Sequence, residues 1–304
     1  MPLARYPRPP DAALRWVLRC TGARAIASVR RLSLGGWHVN HLVTLLGADG
    51  QREAVVLRRW ARPGWQIKDP DFNAAREVAI YGVLAESRIP APRLIAADVD
   101  GRACGVPAVV LTRLPGHPPP AKPGSLPEFL RQLAEPLPLM HQLGERARSV
   151  VPAFRSWHDF RQTRPPAWAQ DRPAWERLID FVATTPAPTA GWCFIHRDYH
   201  PENTLWLRGG LAGVVDWTSG SYGPPAVDLA TMRVNLVRTQ GIEAAEEFAR
   251  MHAAVAGTSF TDQPYWDAVV LADAFGEDAH SPANLKFTAV SHVEGYLRRV
   301  LAHL

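Results

Sequence analysis

An α+β protein is predicted, strand-rich in its opening part and helical through most of the remainder. Short apolar runs broken by Gly- and Asp-containing turns fill residues 25–112, the pattern of short strands joined by tight turns. Apolar residues at helical spacing recur from 128 to the end. Between the two lies a proline-rich connector, His117 to Pro127, so two lobes are expected, 1–115 and 116–304, meeting near Gly116.

The elements follow in order. Asp11 to Cys20 has a capping acid and the spacing of a short helix. Ala25 to Leu34 and His41 to Leu46 read as strands around Gly35-Gly36-Trp37-His38-Val39-Asn40. Glycines there let backbone N–H groups approach a phosphate, although a glycine pair is also a common hairpin turn. Glu53 to Trp60 is a third strand, its period of two putting Val56 and Arg58 on one face and Leu57 and Arg59 on the other. Phe72 to Ser87 has helical spacing and stops before Ile89-Pro90-Ala91-Pro92. Arg93 to Asp98 and Val106 to Thr112 make a hairpin about Val99-Asp100-Gly101, a turn and not a calcium loop, because no acidic ligands follow at the required offsets. Past the connector, Glu128 to Leu143 (broken by Pro136 and Pro138), Trp175 to Ala183, Ala226 to Val237, Glu243 to Ala254 and Lys286 to Leu304 read as helices. Residues 121–172, rich in Pro, Trp and Arg, give no firm element.

At 304 residues, with 47% hydrophobic and 21% charged residues, the chain has the composition of an ordinary globular protein with ample core. The net charge of +5 is spread along the chain, with no basic block interleaved with aromatics, so nucleic acid is not an expected partner. Cys20, Cys104 and Cys193 are far apart and form no Cys-x-x-Cys pair. No run of about 18 apolar residues stands out to span a bilayer and residues 1–10 carry no apolar leader, so a cytoplasmic protein without membrane partners is expected.

The chemistry concentrates in Phe194-Ile195-His196-Arg197-Asp198-Tyr199-His200-Pro201-Glu202-Asn203, followed by Val214-Val215-Asp216-Trp217. Thr204 to Leu207 and Leu211 to Val215 flank Arg208-Gly209-Gly210, the signature of a hairpin that returns Asp216 toward Asp198 and Asn203. Three hard oxygen donors brought to one mouth suit Mg²⁺, which keeps water or phosphate in its other positions.

The order His-x-Asp-x-x-x-x-Asn, hairpin, Asp-Trp, then Pro225-Ala226-Val227-Asp228-Leu229-Ala230 resembles the aminoglycoside phosphotransferase branch of the protein-kinase-like superfamily. The resemblance runs from about Ala25 to Asp228. It implies a bilobal protein-kinase-like α+β fold, a β-rich nucleotide lobe before a helical catalytic lobe. It also implies ATP- and Mg²⁺-dependent transfer of the γ-phosphate to a hydroxyl of a small molecule. On that resemblance Asp198 takes or orients the hydroxyl proton, with Asn203 and Asp216 as metal ligands. His196 orients the loop, and Asp228 ties down its backbone. Gly35, Gly36 and Asn40 would cover the phosphates, Val56 lie over adenine, and Thr112 C=O and Leu114 N–H form the hinge contacts. Arg58 stands where a lysine is usual and would steady the α/β-phosphates, set by Glu77. Glu77 could instead neutralise Arg76 or face solvent, with Glu86 a weaker substitute.

Departures are visible. The Gly-x-Gly-x-x-Gly loop is absent, Trp217 replaces Phe with no glycine after it, and Pro224 stands where many relatives carry aspartate. Only eleven residues separate Asp216 from Asp228, too few for a peptide-docking segment, so a small acceptor is expected. Relatives act on aminoglycosides, macrolides, homoserine, choline and thio-sugars, which leaves antibiotic resistance and metabolite phosphorylation both open. Asp262, Asp267, Asp273, Glu277 and Asp278 form an acidic stretch that would suit a polycation, or lie on a solvated surface. A nucleotide-binding pseudoenzyme is the alternative. His196 and His200, four apart, superficially suggest zinc, but His-Glu-x-x-His is missing and Pro201 breaks any helix. A monomer or weak homodimer is expected.

Overall fold

The computed structural model describes residues 8–32, 38–61, 73–189, 191–277 and 290–304. The chain divides into two compact units. The first ends at Gly116 and also takes in Ala212–Ser219; the second holds His117–Leu211 and the residues from Gly220 onward.

The first unit is a five-stranded antiparallel sheet with two flanking helices among its described residues. Helix α1 (Asp11–Thr21) stops at Gly22, whose φ of 67° is the left-handed cap that glycine adopts without strain. Strands β1 (Ala25–Arg31), β2 (Val39–Leu46), β3 (Arg52–Arg59), β4 (Leu94–Asp98) and β5 (Ala108–Thr112) lie in the order β1-β2-β3-β5-β4. Alternation in β2 buries Val39, His41, Val43 and Leu45. Val43 and Leu45 pack with Val55, Leu57, Val110 and the α1 residues Ala13, Trp16 and Val17 in one core. Helix α2 (Ala74–Ala85) begins where the Asn73 side chain accepts from Arg76 N–H at 2.9 Å, and it packs on β4, β5 and the turn Trp217–Ser219. The turn after β4 is tied by Asp98 Oδ2, which accepts from Ala103 and Cys104 N–H at 2.9 and 2.8 Å.

The second unit is mainly helical: α3 (Leu126–Ala134), α4 (Pro136–His141), α5 (Gly144–Arg148), α6 (Arg172–Thr184), α7 (Ala226–Gln240), α8 (Ile242–Ala256), α9 (Gln263–Phe275) and α10 (Val290–Leu301). Helix α7 lies at its centre, packed against α8, α9 and α10, with eleven of its fifteen residues buried. Two short strands, β6 (Cys193–Ile195) and β9 (Ser221–Gly223), pair antiparallel, with β6 leading directly into His196. Strands β7 (Thr204–Leu207) and β8 (Gly210–Val214) form the expected hairpin. Its turn is two residues, Arg208 (φ 52°) and Gly209 (φ 82°), one shorter than expected; both have the positive φ of a type I′ turn, so Gly210 already belongs to β8.

The sequence does not reveal helix α9. Nine of its thirteen residues are buried, so it has no polar face to mark a helical period. Among the described residues no helix is long and apolar enough to cross a membrane.

Candidate active site

In the second unit, buried strand β6 delivers His196 and Arg197 to a carboxylate waiting on α7. Asp228, fully buried, accepts the His196 N–H at Oδ2 (3.0 Å) and the Arg197 N–H at Oδ1 (2.8 Å). His141 Nε2 lies 3.2 Å from the same Oδ2. A buried carboxylate needs such partners, and these convert Asp228 into a clamp on the loop backbone. The clamp holds a strained link: Arg197 has φ 68°, a left-handed conformation that non-glycine residues rarely adopt. Its guanidinium donates to the Arg155 carbonyl at 2.8 Å and stacks 3.5 Å from the centre of the Trp157 ring.

Asp198 follows this link with its side chain 45% exposed, able to meet a solute. Asn203, in the short turn Pro201–Asn203, donates through Nδ2 to the Asp198 carbonyl at 2.9 Å and to its Oδ2 at 3.2 Å. His200 Nε2 lies 3.5 Å from Asp198 Oδ1. Burial works against charging His200, but Asp198 and Glu202 outweigh it and raise its pKa.

The first unit gathers a second constellation. Arg58 on β3 is buried, its Nε 3.1 Å from Glu77 Oε1 on α2. Its Nη2 donates to Asp216 Oδ1 at 2.5 Å and to the Thr218 hydroxyl. Thr218 in turn donates to Asp216 Oδ1 at 3.3 Å. Burial opposes the charge on Arg58, but Asp216 and Glu77 together push its pKa upward. For Glu77 burial wins over the pull of Arg58 and lifts the carboxyl to about 7. Because a guanidinium does not deprotonate in proteins and sits in direct contact, the ionised pair is the better description. Asp216 has φ 65°, and its side chain is 35% exposed, the one opening in an otherwise sealed cluster.

The remaining predicted positions fall as follows. Asn40 lies on β2 directly across from Arg58, and Val56 lies on β3 between Leu42 and Leu111. Gly35 and Gly36 are outside the described residues. Thr112 closes β5, its N–H donating to the Arg93 carbonyl at 2.9 Å and its hydroxyl accepting from Arg93 N–H at 2.8 Å. Leu114 rests on the backbone of β8 at Gly213, where any Cβ would collide with it. Nearby, Val214 N–H donates to the Pro90 carbonyl at 2.8 Å. Arg58 is not on an exposed strand face, and Glu77 neither faces solvent nor depends on Arg76 for its charge partner.

The acidic stretch is neither an open cleft nor a solvated face. Asp267 is buried against Arg233, and Asp273 Oδ1 accepts the N–H groups of Trp157 and His158 at 3.0 and 3.1 Å. Asp262 accepts from Trp266 Nε1 at 2.9 Å, and Glu277 from Ala167 N–H at 2.8 Å. These carboxylates hold helix ends and the 151–170 segment in place; Asp278 is outside the described residues. Two contributors escaped the sequence reading, Thr218 and Trp157. Thr218 carries no motif signal beyond following Asp-Trp, and Trp157 sits in a stretch without periodicity.

An antiparallel five-stranded sheet, a strand arginine paired with a helix glutamate, and an Asp/Asn loop clamped from a following helix define the protein-kinase-like class. The phosphotransferase enzyme family matches residues 35–275, and the chain belongs to that family. It is a small-molecule phosphotransferase with an alcohol as acceptor. No protein of curated function matches its sequence. Among solved structures, the macrolide 2'-phosphotransferase MphH from Brachybacterium faecium is 18% identical, covers 95% of this chain and 92% of its own, and superposes with a TM-score of 0.61. The amicoumacin kinase hAmiN is 13% identical, with coverage of 94% and 92% and a TM-score of 0.61. A complex of aminoglycoside phosphotransferase APH(4)-Ia with ADP and hygromycin B is 15% identical, with coverage of 95% and 94% and a TM-score of 0.57. At these identities the likeness establishes the protein-kinase-like fold.

Proposed function

We propose that the chain transfers the γ-phosphate of ATP, with Mg²⁺, to a hydroxyl of a small molecule carrying few positive charges. The observation that carries the reading is the sealed Arg58–Glu77 pair opening to solvent only at Asp216. A permanent cation buried beside two carboxylates is costly unless it serves an anionic ligand or a fold-critical contact, and the strained, partly exposed Asp216 favours the former.

Within this reading Arg58 holds phosphate oxygens, its plane fixed by Glu77. Asp198, oriented by Asn203 and by the clamped loop behind it, takes the proton of the attacking hydroxyl. Asp228 and His196 act through backbone placement and touch no reacting atom. Asn203 and Asp216 are the hard oxygen donors that would hold Mg²⁺. Among the described residues no group of three His, Cys, Asp or Glu gathers into an all-protein cage, which suits an ion completed by phosphate and water. When bound, that ion would neutralise charge developing on the transferred phosphoryl group.

The acceptor preference rests on the acidic stretch. Its described carboxylates are engaged by Arg233, backbone N–H groups and Trp266, so fold contacts account for them without a polycation. A macrolide-like antibiotic or a hydroxylated metabolite fits better than an aminoglycoside.

The test is coupled ATP turnover across macrolides, aminoglycosides and hydroxylated metabolites, with Asp198→Ala alongside. Turnover on a weakly charged acceptor that is lost in the variant is the expected result. Tight Mg-ATP binding without turnover on any acceptor would favour the pseudoenzyme, and turnover confined to polycations would overturn the acceptor preference.

A further inference from the structure

Thr218 occupies a position that no motif assigns. It is 4% exposed, in the short turn Trp217–Ser219 that follows the strained Asp216. Its hydroxyl does two things at once: it accepts from Arg58 Nη2 and donates to Asp216 Oδ1. With Glu77 Oε1 3.1 Å from Nε, the Arg58 guanidinium is held by an ion pair on one side and by two acceptors at Nη2 on the other. A planar fork with five donors can satisfy that geometry, whereas a lysine presents one nitrogen at the end of a flexible stem.

We propose that Thr218 is a positioning residue for Arg58, and that the Glu77–Asp216–Thr218 clasp makes this strand position specific for arginine. The proposal rests on the ATP reading above. The hydroxyl fixes the guanidinium plane and the Asp216 carboxylate relative to each other. Its loss removes one of the two acceptors at the buried Nη2 and leaves the guanidinium plane set by Asp216 and Glu77 alone. The substitution of arginine for the usual lysine is then not a neutral exchange of cations but one half of a pair, with Thr218 the other half.

The experiment is calorimetric titration of Mg-ATP, with a urea unfolding curve for each variant. Thr218→Val, which loosens the group that holds the phosphates, is expected to weaken Mg-ATP by about tenfold. Thr218→Ser, which keeps the hydroxyl, should return the Kd to within about threefold of wild type. Arg58→Lys should lose at least about tenfold, and adding Thr218→Val to it should cost little more, because the partner of the hydroxyl is already gone. A merely structural Thr218 would shift unfolding and leave the Kd of the folded protein alone. Folded Thr218→Val with wild-type affinity, or Arg58→Lys binding like wild type, overturns the clasp while leaving the ATP reading standing. A wild-type protein that binds no Mg-ATP overturns both.

Discussion

Two buried arginines sit in similar electrostatic settings on different backbones. Arg58 in the first unit has one sealed carboxylate, Glu77 at 0% exposure, and one partly open, Asp216 at 35%. Arg233 in the second unit has Asp267 at 5% and Glu246 at 36%, and lies 5.2 Å from the Tyr296 ring centre. Exposure and charge alone cannot separate them. Burial opposes the charge on each, and carboxylates restore it. The backbone separates them. Every partner of Arg233 comes from a helix, α8, α9 or α10, in regular conformation. The partners of Arg58 include Asp216, held at φ 65° at the end of a strand, and Thr218 in the turn behind it. On the proposed reading, the strain beside a solvent opening is kept for a ligand, whereas the same ion pairs laid across helices bind the fold together.

The comparison can be broken most sharply at Asp198. Asp198→Ala should lower kcat/KM by about 10³-fold while the unfolding curve stays close to wild type, because its side chain is half exposed. Arg233→Gln should do the reverse. It strands Asp267 in the core, at a cost of about 3–5 kcal/mol in urea unfolding, with turnover per folded molecule retained. If Arg233→Gln instead abolishes turnover in a stable protein, the division between the two arginines fails.

A third prediction concerns acid. Burial, reinforced by nearby His141, pushes His252 down to about 4, against the opposing pull of Asp228. A histidine whose folded pKa lies below its unfolded value of about 6.5 costs nothing above that pH. The unfolded chain takes up the proton first as pH falls, so stability should drop between about 6.5 and 4, by on the order of 3 kcal/mol from this residue. His252→Leu should flatten that limb; an unchanged limb would mean that other groups carry it. The smallest expected effect is at Gly213→Ala, where the new methyl meets Leu114 and the Pro90 carbonyl (3.3 Å away), costing about 1–3 kcal/mol. A neutral result would show that Leu114 is free to move off the strand.

The legible and illegible parts of the sequence divide on physical lines. The Arg58–Glu77 pairing was readable from the family resemblance, the strand and helix patterns supplying only the two elements that carry its members. The tie between Asp228 and the backbone of His196 and Arg197 was readable from the family pattern. The roles of Asp267 and Asp273 were not. Their acidity reads as surface or cleft until Arg233, Trp157 and His158 are seen beside them, and those contacts span 34 to 116 residues of chain. Thr218 was invisible because a single hydroxyl has no period and no composition signal.

The most direct measurement is Mg-ATP affinity in Arg58→Gln and Arg233→Gln, titrated side by side at a temperature where both remain folded. The expected result is at least about tenfold weaker binding for the Arg58 variant and wild-type affinity for the Arg233 variant. Equal affinity in the two would contradict the assignment of the first arginine to the nucleotide and the second to the fold.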